Sequence, residues 1–117
     1  MAIQPGQIYM SYCLYADGTG RGKIRPVLVL SLNENGTVNV VESTSNPIKN
    51  QTLLKEIDFK TRGYLQVKSM HKSYFYFSAI KTNVDVSELE RFVCNLRGDH
   101  FKEIVNAINV EAARLSG

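Results

Sequence analysis

Cysteine is scarce in this 117-residue sequence, and its two copies, Cys13 and Cys94, lie far apart and match no metal-ligand spacing. They are expected as reduced, buried thiols of a cytoplasmic protein rather than as a disulfide. Long apolar runs are lacking as well. The aliphatic stretch from Val27 to Leu30 is far too short to cross a bilayer, so no membrane partner is expected. The N-terminus MAIQPGQIYM has no basic segment followed by an apolar one, which argues against a secretory signal. A large excess of one charge is also missing. A net charge of +3 and a pI near 8.9 lean only slightly toward an anionic partner. There is no repeat, low-complexity tract or Pro/Ser-rich linker, so residues 1–117 read as a single domain with one modest core.

What is present is mostly strand pattern. Gln7 to Leu14 alternates Ile8, Met10, Tyr12 and Leu14 against Tyr9, Ser11 and Cys13, the period of a first strand. The segment 16–23 is loop chemistry, with Gly18, Gly20 and Gly22 among polar residues. Its glycines fit neither a nucleotide-binding loop nor a dinucleotide fingerprint, because spacing and following helix are both wrong. Val27 to Leu30 reads as a central strand, and Asn35-Gly36 as the hairpin turn leading into Thr37 to Val41. Leu53 to Phe59 suits a strand or a poor helix, and Tyr64 to Val67 and Tyr74 to Ile80 suit strands.

Ser87 to Glu90 has capping-box spacing for one helical turn, and Phe92 to Cys94 suits a last strand. The clearest helix runs from Asp99, a good N-cap, to Leu115. Its apolar stripe is Phe101, Ile104, Val105, Ile108, Ala112 and Leu115. Several short strands and one terminal helix predict a compact barrel or half-barrel sheet with a helical cover.

Gly6-Gln7-Ile8, then the Gly-rich loop ending in Gly22-Lys23-Ile24-Arg25-Pro26, then Val27-Leu28-Val29-Leu30-Ser31 form an ordered block. It is followed by Val38 to Thr44, by Ser73 to Thr82, and by the terminal helix. In this order the chain resembles the MazF/PemK family of type II toxin–antitoxin endoribonucleases. The likeness spans nearly the whole chain and is weakest over residues 45–71. It implies a mostly-β (α+β) fold, a small SH3-like barrel of the CcdB/PemK kind with a C-terminal helix. It also implies a homodimer, a cognate antitoxin partner, and metal-independent cleavage of single-stranded RNA, with no cofactor, by attack of the ribose 2′-hydroxyl on the adjacent phosphate.

Such a reaction needs a cation against the charge growing on the phosphorane oxygens, and help in moving protons. Arg25 matches the Arg-Pro arginine of the resemblance, and its permanently charged fork of donors suits phosphate. Thr44 falls at the hydroxyl position after the second strand, although a one-residue shift would give Ser43 or Ser45 that place. Arg21, Lys23 and Arg25 put three cations into five residues, suited to tracking a single-stranded backbone. Lys81 matches the basic end of the later strand.

The resemblance leads one to expect an acidic residue where this chain has Ser78-Ala79. By residue type, His71 or Glu42 could replace it as a proton acceptor; His100, in the helix's first turn, is expected to be structural. The alternative reading is a weak or inactive protein of the same fold that binds RNA, antitoxin or a protein target such as gyrase. A further one is an unrelated SH3-like interaction barrel.

Overall fold

The computed structural model describes residues 2–15, 17–60, 64 and 72–117. Strand β1 (Gln7–Leu14) forms where the alternation places it. Strand β2 (Gly22–Leu32) starts earlier than the apolar run suggests. Residues 22–26, expected as loop, instead pair antiparallel with β1, from Gly22 opposite Leu14 to Leu28 opposite Ile8. A long first strand offers them backbone partners, and satisfied N–H and C=O groups outweigh local loop preference.

Gly22 is needed at this start, because a Cβ there would lie 2.0 Å from the Cys13 carbonyl oxygen. Pro26 stands opposite Met10, just past the end of the β2–β3 ladder. Its carbonyl accepts the Ser43 hydroxyl at 2.7 Å, so its missing N–H falls on the side where that ladder has already ended.

The Asn35-Gly36 turn forms as read: Gly36 has φ +84°, and the Asn33 N–H donates to the Thr37 carbonyl at 2.9 Å. It leads into β3 (Val38–Thr44), and β4 (Leu53–Asp58) resolves the ambiguous segment as a strand. Strand β5 (Lys72–Val84) is longer than its aromatic stretch. Tyr64 belongs to no strand, and the rest of the expected strand 64–67 lies outside the described residues.

A 3-10 turn, Val86–Glu88, precedes β6 (Leu89–Asn95). The Ser87–Glu90 capping box does not form. Asp85 caps the turn instead, accepting the Ser87 N–H at 3.1 Å, and Leu89 and Glu90 pass into the strand.

Helix α1 (Gly98–Ser116) has its N-cap two residues earlier than predicted, at Arg97 rather than Asp99. Asp99 lies in the first turn, where its carboxylate complements the helix dipole and takes the Arg97 guanidinium at 2.8 and 3.1 Å. Of the expected stripe, Ile104 is fully buried, while Ala112 and Leu115 are exposed. The buried position in that last stretch is Glu111, which is held by Arg114 and lies 3.4 Å from the Thr52 hydroxyl.

The six strands are antiparallel in the order β4-β5-β3-β2-β1-β6. Among the described residues no pairing joins β4 to β6, so the mostly-β architecture is as expected but the sheet is not closed. Alternation sends Ile8, Leu28, Val41 and Phe75 to one core with Ile57, Phe59, Leu96 and helix residue Ile104. It sends Tyr9, Cys13, Val27, Val29, Val38 and Val40 to a second, smaller core.

Candidate nucleic-acid interface

The second core belongs to a face where β1, β2, β3 and β5 share a groove of about 720 Å³. An irregularity in β5 opens it. Between the pairs Val41–Ile80 and Ser43–Phe75, β3 advances two residues and β5 five. Strand β5 swings toward β4 there: Tyr76 pairs with Leu53, and the Phe77 N–H donates to the Thr52 carbonyl at 2.9 Å. The extra residues include Tyr76, Ser78 and Ala79, which line the groove. Bulges of this kind re-aim side chains beside functional sites.

Register explains which chemistry reaches the groove. Val27 pairs with Glu42, and Arg25 stands two residues before Val27 on the same face of β2. Thr44 stands two residues beyond Glu42 on β3, at the same end of the sheet as Arg25. Lys81 pairs with Val40, two residues before Glu42. Arg25, Glu42, Thr44 and Lys81 therefore all line one groove, although they come from three strands.

The Arg25 side chain is half-buried, and its guanidinium carbon lies 5.7 Å from the centroid of the Tyr15 ring, within cation–π range. Its Nε is buried and has no hydrogen-bond partner among the described residues. Arg25 lines the groove, and its permanently charged guanidinium closes no ion pair among the described residues, which suits it to an anionic oxygen.

The hydroxyl ambiguity separates by geometry. Ser43 and Thr44 both line the groove, but the buried Ser43 donates its hydroxyl to the Pro26 carbonyl, and Ser45 is exposed outside the groove. Thr44 is half-buried in the lining; its hydroxyl oxygen accepts the Asn46 N–H at 3.3 Å, which leaves its own proton to donate.

The other candidates fall elsewhere. Lys23 is exposed on β2 and Arg21 on the connecting loop, and neither lines the groove. The three-cation loop is thus split, with Lys23 and Arg25 on a strand. His71 lies outside the described residues. His100 sits away from the groove on α1, its Nδ1 2.8 Å from the Tyr64 hydroxyl and its ring stacked on Tyr64. Because the Tyr64 oxygen accepts the Arg97 N–H at 2.9 Å, its proton is directed to His100. Burial holds His100 below the ordinary histidine range, a structural role.

Glu42 had only its residue type to recommend it. What locates it is the alternation Val38, Val40, Glu42, once Val38 and Val40 are known to face the second core. Its carboxylate has a consequence across the groove. Burial first, then the neighbouring Glu42 charge, push the Cys13 thiol up to about 12. Cys94, on the helix side, is pushed to about 11 by burial alone. Both cysteines are free thiols, Cys13 buried and Cys94 half-buried.

The groove therefore offers two cations, the Thr44 hydroxyl, two carboxylates (Glu42 and Glu88) and four tyrosines: Tyr12, Tyr15, Tyr74 and Tyr76. Cations suit phosphates, and tyrosine faces suit unpaired bases. Among the described residues no three His, Cys, Asp or Glu side chains gather as a metal site, and no helix is long and apolar enough to cross a membrane.

Comparisons with known proteins agree with this fold. A solved structure described as an endoribonuclease in complex with its cognate antitoxin, from a mycobacterial species, is similar to this chain with a TM-score of 0.64. The identity is 17%, and the likeness covers 96% of each chain, so it speaks to the fold. No curated sequence matches the chain significantly. The family described as PemK-like, MazF-like toxin of type II toxin–antitoxin system matches residues 4–111, the segment that holds all six strands, the groove and most of α1. On that match, the chain belongs to the PemK-like, MazF-like toxins of type II toxin–antitoxin systems.

Proposed function

We infer that this chain is an endoribonuclease toxin that cuts single-stranded RNA in the β1–β2–β3–β5 groove. The observation that carries the reading is the Arg25 guanidinium, set in the groove with a buried, unpartnered Nε beside Thr44 and on the same face as Lys81. The similar mycobacterial protein is an endoribonuclease, which supports the same reaction class here.

In the proposed step the ribose 2′-oxygen forms a bond to phosphorus as its proton leaves. The bond from phosphorus to the 5′-oxygen breaks, and that oxygen takes up a proton. The products are a 2′,3′-cyclic phosphate and a 5′-hydroxyl, and the balance calls for no metal, cofactor or water. Arg25 stabilises the charge on the non-bridging oxygens, Thr44 donates a hydrogen bond to one of them, and Lys81 holds an adjacent phosphate. Tyr15 and its neighbours take the unstacked bases. Lys23 and Arg21, outside the groove, guide the strand toward it by charge. The cytoplasm, a homodimer and a small cognate antitoxin complete the proposal; the antitoxin partner has its support in the complex formed by the similar protein.

The test is cleavage of a long single-stranded transcript in EDTA by wild type and Arg25→Ala. Wild type should cut and leave cyclic phosphate ends. The substitution should lower the rate by at least about 10²-fold, the scale for losing one preorganised donor to a developing oxyanion. A wild-type protein that leaves the transcript intact at high concentration overturns the reading. Retained RNA binding in that case would identify a binding protein on this fold, a reading that Ser78 and Ala79 in the groove favour.

A further inference from the structure

Resting on that reading, we propose that Glu42 is the proton acceptor of the reaction: it takes the 2′-hydroxyl proton while Arg25 and Lys81 hold the phosphate backbone on either side.

The argument is one of position and elimination. Glu42 is paired with Val27, and Arg25 and Lys81 stand diagonally from it, on β2 and through the Val40 pair on β5. Diagonal neighbours across strands are ~7–8 Å apart, room for a phosphodiester between a carboxylate and a cation. The ion pairs of the described residues all lie elsewhere, so neither Arg25 nor Lys81 closes one with Glu42. A carboxylate collapsed onto the guanidinium would have blocked the phosphate, and no such ion pair forms among the described residues.

The competing acceptors are few. Cys13 of β1 adjoins Glu42, and Arg25 from β2 and Lys81, Tyr74 and Tyr76 from β5 share the groove with it. Cys13 stays protonated across the neutral range, since burial and Glu42 push its thiol up to about 12. Tyr76 is committed, its oxygen accepting the Ile48 N–H at 2.6 Å. Tyr74 is raised above the usual tyrosine range, so it is no base near neutrality. Arg25 and Lys81 are cations. The remaining carboxylate of the lining is Glu88, on the 3-10 turn beside β6. Its backbone carbonyl is bonded to the Ser11 hydroxyl at 2.7 Å, which fixes it at the β1–β6 side, away from the β3–β5 opening.

Glu42 also supplies what Ser78-Ala79 lacks. Those two residues lie in the widened part of β5 that is opposite Glu42, between the Val41–Ile80 and Ser43–Phe75 pairs. No acidic side chain lies between Phe75 and Ile80 on β5, so Glu42 is the carboxylate that register sets across from this stretch.

The experiment compares Glu42→Gln, Glu42→Asp and Glu88→Gln with wild type and Arg25→Ala on the same transcript over a range of pH. Binding is read with a single-stranded DNA copy, which lacks the 2′-hydroxyl and stays intact. Glu42→Gln should lower kcat by about 10²-fold or more, the ordinary worth of a general base, and should remove the acid limb of the pH profile. KM and DNA binding should change little, and Glu42→Asp should restore part of the rate. Glu88→Gln should lower the rate far less than Glu42→Gln.

Full cleavage by Glu42→Gln with Arg25→Ala inactive overturns the assignment and leaves the nuclease reading standing. A rate lost in Glu88→Gln and kept in Glu42→Gln moves the role to Glu88. A loss in Glu42→Gln that is matched by weaker DNA binding, with the acid limb unchanged, makes Glu42 a structural group and overturns the proposal. Wild type inactive at every pH means that the nuclease reading itself has failed.

Discussion

The two faces of the sheet are built by the same alternation and end in opposite uses. The helix side gathers Phe75, Ile57, Phe59, Leu28 and Ile104, large side chains that fill the space under α1. The groove side gathers Val27, Val29, Val38 and Val40, short β-branched side chains that leave depth, and rims them with Arg25, Glu42, Thr44 and Lys81. Covering a face requires volume, and exposing a working surface requires its absence. Along β2 this contrast is residue by residue, with Val27 and Val29 on the groove side and Leu28 and Leu30 on the helix side.

The comparison breaks most sharply at the buried end of the helix. Ile104 is fully buried in the larger core, so Ile104→Ala should destabilise the fold by about 2–5 kcal/mol through lost transfer energy and the cavity left behind. Denaturant unfolding measures it, with the midpoint falling at nearly constant slope. Cleavage per folded molecule should stay unchanged, because nothing on α1 lines the groove. A large loss of specific activity without loss of stability would mean that the two faces are coupled and that the division drawn between them is wrong.

Adjacent residues Ser43 and Thr44 make a finer comparison, since both line the groove but the Ser43 hydroxyl is spent on the Pro26 carbonyl and the Thr44 proton is not. Ser43→Ala removes the donor to the Pro26 carbonyl and should cost about 1 kcal/mol of stability with little change in cleavage. Thr44→Val keeps the shape and removes the hydroxyl; it should leave stability nearly unchanged and slow cleavage roughly tenfold, the worth of one hydrogen bond to a charged oxygen. Measuring both variants by thermal unfolding and by transcript cleavage should give crossed outcomes. If Ser43→Ala is the one that slows cleavage at unchanged stability, the hydroxyl assignment shifts by one residue.

Much of this division was legible in the sequence, and the failures have identifiable causes. β1, the Asn35-Gly36 hairpin and the terminal helix follow from period and turn chemistry alone. The start of β2 does not, because glycine and charge signal loop while the partner strand that overrides them is a tertiary fact. The helix N-cap is missed by two residues for a similar reason. Asp99 is a good cap by type, but Arg97 turns the chain and Asp99 pairs with its side chain instead.

Arg25, Thr44 and Lys81 could be named from the family pattern, and the fold does bring them into one groove. Their assembly with Glu42 depends on the β5 irregularity opposite it, and no local signal in Tyr76 to Ala79 announces an extra stretch of unpaired strand. Arg21 and Lys23 show the reverse error, since closeness in sequence to Arg25 did not place them on its face.

The smallest expected effect sits at the edge of the helix side and concerns pH. His100 stacks on Tyr64 and takes its hydroxyl proton at Nδ1, and burial, opposed by Asp99 and reinforced by Lys55 and Arg97, holds the folded histidine below its ordinary value of 6.5. A folded state that binds the proton less readily than the unfolded chain loses stability as pH falls below that ordinary value. The loss levels off once pH passes under the folded value, where both states are protonated. Unfolding measured between neutral and mildly acidic pH should show this dip in wild type. His100→Gln should flatten it across that window, leaving only the slope from carboxylates such as Asp99 and Glu111, whose folded values lie below their ordinary ones and whose protonation costs stability at lower pH. Since His100 lies away from the groove, the dip should appear in stability and be absent from the acid limb of cleavage. If His100→Gln instead shifts that acid limb at constant stability, the histidine acts on the groove and the separation of the two faces fails at this point.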